Sequence, residues 1–169
     1  TAPIYLKPPV LLSNDSKIHV DRDDTNEWIT GLPDIDVLYL DPPYNKHPYC
    51  IYYFLLDIIN DWDKSVEIPD SYRGQPKNWI KSAYNSSRHA ISAFKHLIEN
   101  APAKYILLSY NDEGIIPIDT LESIMEEHGT VEKIPIDHKV YNRLRGIADY
   151  KREKEARNVK EFIWMLTKK

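Results

Sequence analysis

Short apolar runs alternate with polar stretches and predict four strands. Residues 37–40 (Val-Leu-Tyr-Leu) form an unbroken apolar run, which is typical of a strand buried on both faces of a parallel sheet. Residues 104–110 have the same character, and residues 130–140 and 159–167 predict two later strands. Residues 17–20 (Lys-Ile-His-Val) are a further short strand candidate.

Helical spacing of apolar residues appears between these strands. Residues 25–32 predict a short helix and residues 86–100 an amphipathic one, and Pro117 opens another helix that Gly129 closes. Residues 49–59 are apolar on most sides of a helix, so most of this segment is expected in the core. Strands that alternate with helices in this way predict an α/β fold.

The apolar run at 37–40 ends abruptly at Asp41-Pro42-Pro43-Tyr44-Asn45. The two prolines fix the backbone and supply no N–H, so the ladder of a sheet cannot continue through them. Ligands of open α/β sheets bind just beyond the carboxyl ends of the strands. An acid, a stiff turn and an exposed ring at such a place predict a site that holds a flat, hydrogen-bonding group.

Asp41-Pro42-Pro43-Tyr44 is the motif of methyltransferases that modify the amino groups of nucleic-acid bases, and the chain resembles the D12 class of DNA adenine-N6 methyltransferases. The resemblance spans roughly residues 18–167 and includes Asn45, the tyrosine-rich helix, the Ser-Tyr-Asn-Asp-Glu-Gly segment at 109–114 and the late strand. It implies a Rossmann-like class I methyltransferase sheet, mostly parallel, with residues 130–140 and 159–167 as its antiparallel edge hairpin. It also implies S-adenosylmethionine as cofactor, double-stranded DNA as substrate, a restriction–modification context and a bacterial-type cytoplasmic location.

The chemistry of amine methylation explains the residue types in the motif. An adenine amine is a poor nucleophile because its lone pair is delocalised into the ring. The Asp41 carboxylate and the Pro42 carbonyl can accept both N–H groups, and Asp41 faces the positive charge that develops during transfer. Tyr44 offers a ring on which an extruded base can stack. We therefore expect Asp41, Pro42, Pro43 and Tyr44 to form a catalytic turn that needs no metal.

The resemblance also implies an acid after an earlier strand that accepts a hydrogen bond from the adenine amine of the cofactor. Asp23 fits this position best, and Asp21 and Asp24 fit it less well. The equally weighted alternative is that these carboxylates simply stabilise the N-terminus of the following helix. Asp41 is the second residue expected to face the cofactor.

Further candidates for the base pocket or for DNA contact lie around the motif and on charged connections. Tyr49 and Tyr52 are nearest the motif, with a place in the core as the alternative for each. The connection at 63–87 mixes basic and aromatic residues, which suits phosphate contact and stacking, with a solvated loop as the alternative. These candidates are Asn45, Tyr49, Tyr52, Arg73, Lys77, Trp79, Ser109, Tyr110, Asn111, Arg143 and Arg145.

Composition narrows the possible classes of protein. The 169 residues carry a net charge of −4, unusual for a protein that wraps DNA, but residues 139–160 are strongly basic. A single cysteine, Cys50, excludes an internal disulfide and fits a reducing compartment. No run of about 18 apolar residues is present, so we expect no membrane span.

The glycine-rich loop that cradles the cofactor in this family has no counterpart among the five glycines. We therefore expect residues 18–169 to be the C-terminal part of the catalytic domain and of its sheet, and residues 1–17 to be the tail of an upstream region. An N-terminal half of the same enzyme, or another chain, would complete the sheet. Methylation of cytosine N4 or of an RNA base remains an alternative, as does a non-catalytic DNA- or partner-binding remnant, which the intact Asp41 and Tyr44 disfavour.

Overall fold

The sheet has four strands and carries its packed helices on one face. The structure, a computed structural model, describes residues 7–10, 15–70, 74, 81–136 and 160–169. The strands are β1 (Ile35–Leu40), β2 (Ala103–Asn111), β3 (Gly129–Ile136) and β4 (Glu161–Lys168). Their order across the sheet is β1-β2-β4-β3. β1 runs parallel to β2, and β4 runs antiparallel to both β2 and β3.

Four α-helices connect or precede these strands, and the starts of α1 and α4 follow from the local sequence. The helices are α1 (Thr25–Trp28), α2 (Cys50–Asp61), α3 (Ala90–Asn100) and α4 (Ile118–Glu126), with 3₁₀ turns at Ile29–Gly31 and Ala83–Asn85. The Asp24 carboxylate caps α1 by accepting the Asn26 N–H at 2.9 Å. Pro117 immediately precedes α4, where its missing N–H costs no hydrogen bond.

The core lies between one face of the sheet and helices α3 and α4. Alternate residues of the strands point into it, as the two-residue period of a strand requires. The largest fully buried side chains are Ile29, Phe94, Leu97, Ile98, Ile106, Leu108, Ile116, Leu121, Met125, Trp164 and Leu166. Lys168 closes the end of α3, because its ammonium donates to the carbonyls of Ile98 and Ala101 at 2.9 and 2.8 Å.

The predicted α/β class, the four main strands and the antiparallel pair at one end of the sheet are confirmed. The prediction of a mostly parallel sheet does not hold for the described strands, because only the β1–β2 pairing is parallel. β4 inserts between β2 and β3, and it therefore contributes two antiparallel pairings. Residues 17–20, predicted as a strand, are exposed and form none.

The second face of the sheet is largely uncovered by the described residues. Val37 and Tyr39 of β1 are 53% and 58% exposed, so the prediction that this strand is buried on both faces is wrong. α2 has no buried residue, and its core placement is also wrong in the described structure. Its exposed apolar side chains include Tyr52, Tyr53, Leu55, Leu56 and Ile59. These residues are exposed because α3 and α4 cover the opposite face of the sheet. Among the described strands, β1 also pairs only with β2.

No helix in the described ranges is both long and apolar enough to cross a membrane.

Candidate active site

A polar cavity of about 220 Å³ lies at the carboxyl ends of β1 and β2. Its lining residues are Asp41, Tyr44, Tyr49, Ser109, Tyr110, Asn111 and Glu161. The parallel pairing of β1 and β2 explains why these residues lie together. Leu40 lies opposite Leu108, so the next residues, Asp41 and Ser109, lie side by side at this end of the pairing. β4 runs in the opposite direction and begins at the same edge, with Glu161 opposite Asn111. Six of the candidate site residues are thus brought into one cavity.

Asp41 presents its carboxylate at the end of β1 and is exposed, whereas the next residue, Pro42, is buried. Tyr49 lines the cavity from the start of the segment that leads into α2. Burial raises the pKa of the Tyr49 hydroxyl, and the negative charge of Asp41 raises that pKa further. Tyr49 therefore lies within the electrostatic influence of Asp41.

Tyr44 is held at both its backbone and its ring. Its carbonyl accepts the Ile115 N–H at 3.0 Å. Its ring meets the Tyr110 ring edge to face, with centroids 6.3 Å apart and planes at 89°. The expectation of an exposed ring at this position needs correction: Tyr44 is half-buried and packs against the core, because the loop after β2 folds back over it.

The end of β2 is a second ordered turn. Tyr110 is only 3% exposed, and its hydroxyl oxygen accepts the Ile116 N–H at 3.1 Å. Burial raises the pKa of this hydroxyl. The Asn111 side-chain oxygen accepts the Glu113 N–H at 3.1 Å, which tightens the turn directly after the strand. Both of these lining side chains are held in place by hydrogen bonds to the protein's own backbone.

Asn45 and Tyr52 are not among the residues that line this cavity. The Asn45 side chain accepts the His47 N–H at 2.8 Å and so forms a local turn. Tyr52 lies on α2 and is 52% exposed. A role of Asn45 or Tyr52 in contact with DNA stays a prediction.

The three aspartates proposed for the cofactor behave differently. Asp24 caps α1, and Asp21 accepts from the Trp28 indole N–H at 3.1 Å and lies 3.0 Å from His19. The capping alternative therefore holds for Asp24. Asp23 is exposed and is not part of the Asp41 cavity, so its role toward a cofactor stays a prediction.

Five candidate residues for DNA contact lie outside the described residues: Arg73, Lys77, Trp79, Arg143 and Arg145. Their roles stay predictions. Among the residues that are described, no cluster of three or more His, Cys, Asp or Glu side chains could hold a metal ion.

Two residues near the site were not identified from the sequence. Glu161 lines the cavity, and its place follows from the antiparallel pairing of β4 with β2. Asn85 is buried, and its side-chain amide donates to the Asn45 carbonyl at 2.8 Å. The available signal for Asn85 was its spacing from Ser82, since the two residues cap the short 3₁₀ turn reciprocally.

A larger and more open groove, of about 630 Å³, lies between α1 and α3. Its central polar groups already bind one another: the Tyr84 hydroxyl donates to the Asn26 side-chain oxygen at 3.0 Å, and the Asn26 amide donates to the Ala93 carbonyl at 2.8 Å. Asp41 is not part of it. The smaller cavity, by contrast, combines carboxylates with aromatic rings.

Comparison with known proteins gives relatives of one kind. The chain is 35% identical over 133 residues to Type II methyltransferase M.FokI of Planomicrobium okeanokoites, a match that covers 79% of the chain and 20% of that protein. It is 30% identical over 166 residues to Type II methyltransferase M.NlaIII of Neisseria lactamica, covering 98% of the chain and 48% of the relative. Modification methylase StsI of Streptococcus sanguinis is 30% identical over 141 residues, covering 78% of the chain and 21% of the relative.

The chain therefore spans less than half the length of each of these three relatives. No protein-family model matches the chain, and no solved structure matches it significantly.

Proposed function

We propose that this chain is the C-terminal catalytic part of a DNA methyltransferase that transfers a methyl group from S-adenosylmethionine to the N6 amine of adenine. The relatives are methyltransferases and a modification methylase of the kind found in restriction–modification systems, which supports a DNA methyltransferase. The observation that carries the finer proposal is the cavity that joins the Asp41 carboxylate with the rings of Tyr44 and Tyr49. Because the substrate would be DNA, we also propose a cytoplasmic location in a bacterial-type cell.

Asp41 would act on the amine of the target base. Its carboxylate accepts one N–H of the amine and the Pro42 carbonyl accepts the other, which turns the nitrogen lone pair out of conjugation with the ring. S-adenosylmethionine supplies the electrophilic methyl group when it is bound. The amine nitrogen would take this methyl group while the sulfur leaves as a neutral thioether, and the nitrogen would then give up a proton toward the Asp41 carboxylate. The exposed position of Asp41 gives that proton a path to water.

The rings would hold the extruded base in place. Tyr44 presents a half-buried ring for stacking, and Tyr49 closes the cavity from the side of α2. Stacking on one aromatic side chain contributes about 1–3 kcal/mol per base, enough to offset much of the cost of extrusion. Ser109 and Asn111 supply polar groups at the edge of the same cavity.

The size of the cavity suits a base better than a whole cofactor. Its volume of about 220 Å³ is below the roughly 300–1,000 Å³ usual for pockets that enclose a complete ligand. The described residues therefore fit the base and the methyl end of the cofactor. Asp23 would accept from the adenine amine of the cofactor, and the rest of the pocket would come from residues outside this chain.

An upstream segment of the same protein would complete the fold as a Rossmann-like class I methyltransferase domain. It would add a strand to the outer edge of β1 and cover the apolar face that carries Val37 and Tyr39. The exposed apolar side chains of α2 are a second surface for it to cover. A large part of each relative lies beyond the matched region, which provides the length for such a segment.

The identity of the methylated base is the decisive test. The full-length protein is incubated with labelled S-adenosylmethionine and with plasmid DNA from a methylation-deficient host, and the digested nucleosides are separated by mass spectrometry. We expect N6-methyladenine, and plasmid already saturated by the same protein serves as the control that takes up no further label. N4-methylcytosine, or label only in RNA, would replace adenine-N6 transfer with the corresponding alternative. No label in any nucleic acid would favour a non-catalytic remnant.

A further inference from the structure

We propose that Tyr110 and Gly114 are positioning residues, which fix the ring of Tyr44 at the angle that an extruded base needs for stacking. This inference rests on the proposed function and assigns Tyr110 a role other than base contact. Tyr110 is 3% exposed, so little of its ring is open to a ligand. Its ring instead packs edge to face against the Tyr44 ring, with the two ring centroids 6.3 Å apart.

Two consecutive amides in the loop after β2 tie the two tyrosines together. The Ile115 N–H donates to the Tyr44 carbonyl at 3.0 Å, and the Ile116 N–H donates to the Tyr110 hydroxyl at 3.1 Å. The same loop thus holds the backbone of one tyrosine and the side chain of the other. A change in the position of the Tyr110 ring must therefore disturb the position of Tyr44.

Gly114 makes room for this arrangement. A Cβ atom at this position would lie 2.1 Å from Cε1 and 2.5 Å from Cζ of Tyr110, far closer than packed atoms approach. The backbone of Gly114 is not in the left-handed region, so the requirement is space and not conformation. Any side chain at position 114 would displace the Tyr110 ring from its present position against Tyr44.

A double-mutant cycle tests the mechanism, with Gly114→Ala, Tyr110→Leu and the double variant made in the full-length protein. The readouts are kcat, KM and the fluorescence of 2-aminopurine placed at the methylated position of a DNA duplex. Gly114→Ala should lower the fluorescence signal and kcat/KM about tenfold, the order expected for loss of base stacking. In the Tyr110→Leu background the same substitution should cost little more, because the clashing ring is gone. Additive losses would overturn the proposal.

Amide hydrogen exchange gives a readout that does not depend on methyl transfer. Tyr110→Phe keeps the ring but removes the acceptor of the Ile116 N–H, so exchange of Ile116 should speed up more than that of Ile115, which keeps the Tyr44 carbonyl as acceptor. Gly114→Ala should speed up both. Exchange of Ile115 that stays at the wild-type rate in Gly114→Ala would contradict the coupling between the two tyrosines.

The failures of the two proposals are distinguishable. A wild-type 2-aminopurine signal that Gly114→Ala leaves intact would overturn the positioning role alone. Absence of both methyl transfer and base extrusion in the wild-type protein would overturn the proposed function, and with it the purpose of the arrangement.

Discussion

The side chain of Asn85 donates a hydrogen bond of 2.8 Å to the backbone carbonyl of Asn45, 40 residues earlier in the chain. Asn85 is 6% exposed, and its oxygen accepts the Ser82 N–H at 3.2 Å. The connection that follows α2 therefore returns to the proposed catalytic turn and holds it at Asn45, whereas the loop after β2 holds it at Tyr44.

Replacing Asn85 with alanine should loosen this turn. The Asn45 carbonyl and the Ser82 N–H lose their partners in two part-buried hydrogen bonds, so we expect the free energy of unfolding to fall by about 1–3 kcal/mol. The rate of methyl transfer should fall as well, because Asn45 follows the catalytic residues directly. Denaturant melts and initial rates measure the two effects. Asn100→Ala is the matched control, since its amide donates to the His96 carbonyl at an exposed site at the end of α3; equal effects of the two variants would contradict the anchoring role.

Tyr44→Ala should weaken capture of the target base, whereas Tyr44→Phe and Tyr44→Trp should retain most of it. Stacking uses the face of a ring and is worth about 1–3 kcal/mol per base. The fluorescence of 2-aminopurine at the target position reports extrusion directly. Tyr52→Ala, in an exposed ring outside the cavity, should leave the signal unchanged. Indistinguishable signals from Tyr44→Ala and Tyr44→Phe would contradict a stacking role for Tyr44.

The sequence was sufficient to predict the strand that ends at Asp41 and the helices whose apolar stripes are buried. The local pattern was enough for these elements, because both the spacing of buried residues and the turn residues can be recognised from residues close together in sequence. It was not enough for Val37 and Tyr39, since an unbroken apolar run does not reveal whether the same chain covers both faces. Those two side chains are exposed here.

Contacts between distant segments were the other limit. Glu161 lines the cavity because β4 pairs antiparallel with β2, and the residues next to Glu161 in sequence do not predict that pairing. The edge-to-face contact between Tyr44 and Tyr110 depends on how the loop at Gly114 folds back, which is likewise a property of the folded chain. The motif predicted the residue types, and the topology decided which of them meet.

Glu122 links β3, β4 and α4 outside the site and offers a test of the packing. One of its carboxylate oxygens accepts from the Lys133 ammonium and from the Trp164 indole N–H, each at 2.8 Å. Glu122→Ala leaves the indole N–H of the buried Trp164 without this acceptor, so we expect a loss of about 1–3 kcal/mol in unfolding free energy. Glu122→Gln keeps a neutral acceptor and should lose less. Equal stability of the Ala variant and the wild type in urea melts would contradict this packing role.

The same residue predicts a dependence on pH. The hydrogen bond from Lys133 holds the pKa of the Glu122 carboxyl below its ordinary value of 4.5. A carboxyl whose pKa is lowered by folding adds stability above its unfolded pKa, and this stability is lost as the pH falls through the folded pKa. The stability difference between wild type and Glu122→Gln should therefore be constant near neutral pH and shrink below about pH 4.5. A stability difference between the two proteins that grows as the pH falls would contradict a lowered pKa of Glu122.

The 169-residue chain alone should bind S-adenosylmethionine weakly and should tend to associate. Its described cavity suits a base, and the uncovered face around Val37 and Tyr39 leaves apolar surface open to other molecules. Isothermal titration with the cofactor and light scattering measure the two properties, with the full-length protein as the reference. Micromolar binding by the chain alone would mean that the cofactor pocket lies within it after all.

The central claim is that the Asp41 carboxylate holds and activates the target amine. The most direct measurement compares the rate of methyl transfer to DNA by the full-length wild-type protein with that of Asp41→Ala, alongside their melting temperatures. Because Asp41 is exposed at the end of a strand, its loss opens no core cavity and the melting temperature should stay close to that of the wild type. We predict that the rate falls by about 10²-fold or more, the effect expected of a preorganised group facing developing charge. A variant that folds normally and retains more than about a tenth of the wild-type rate would contradict the claim.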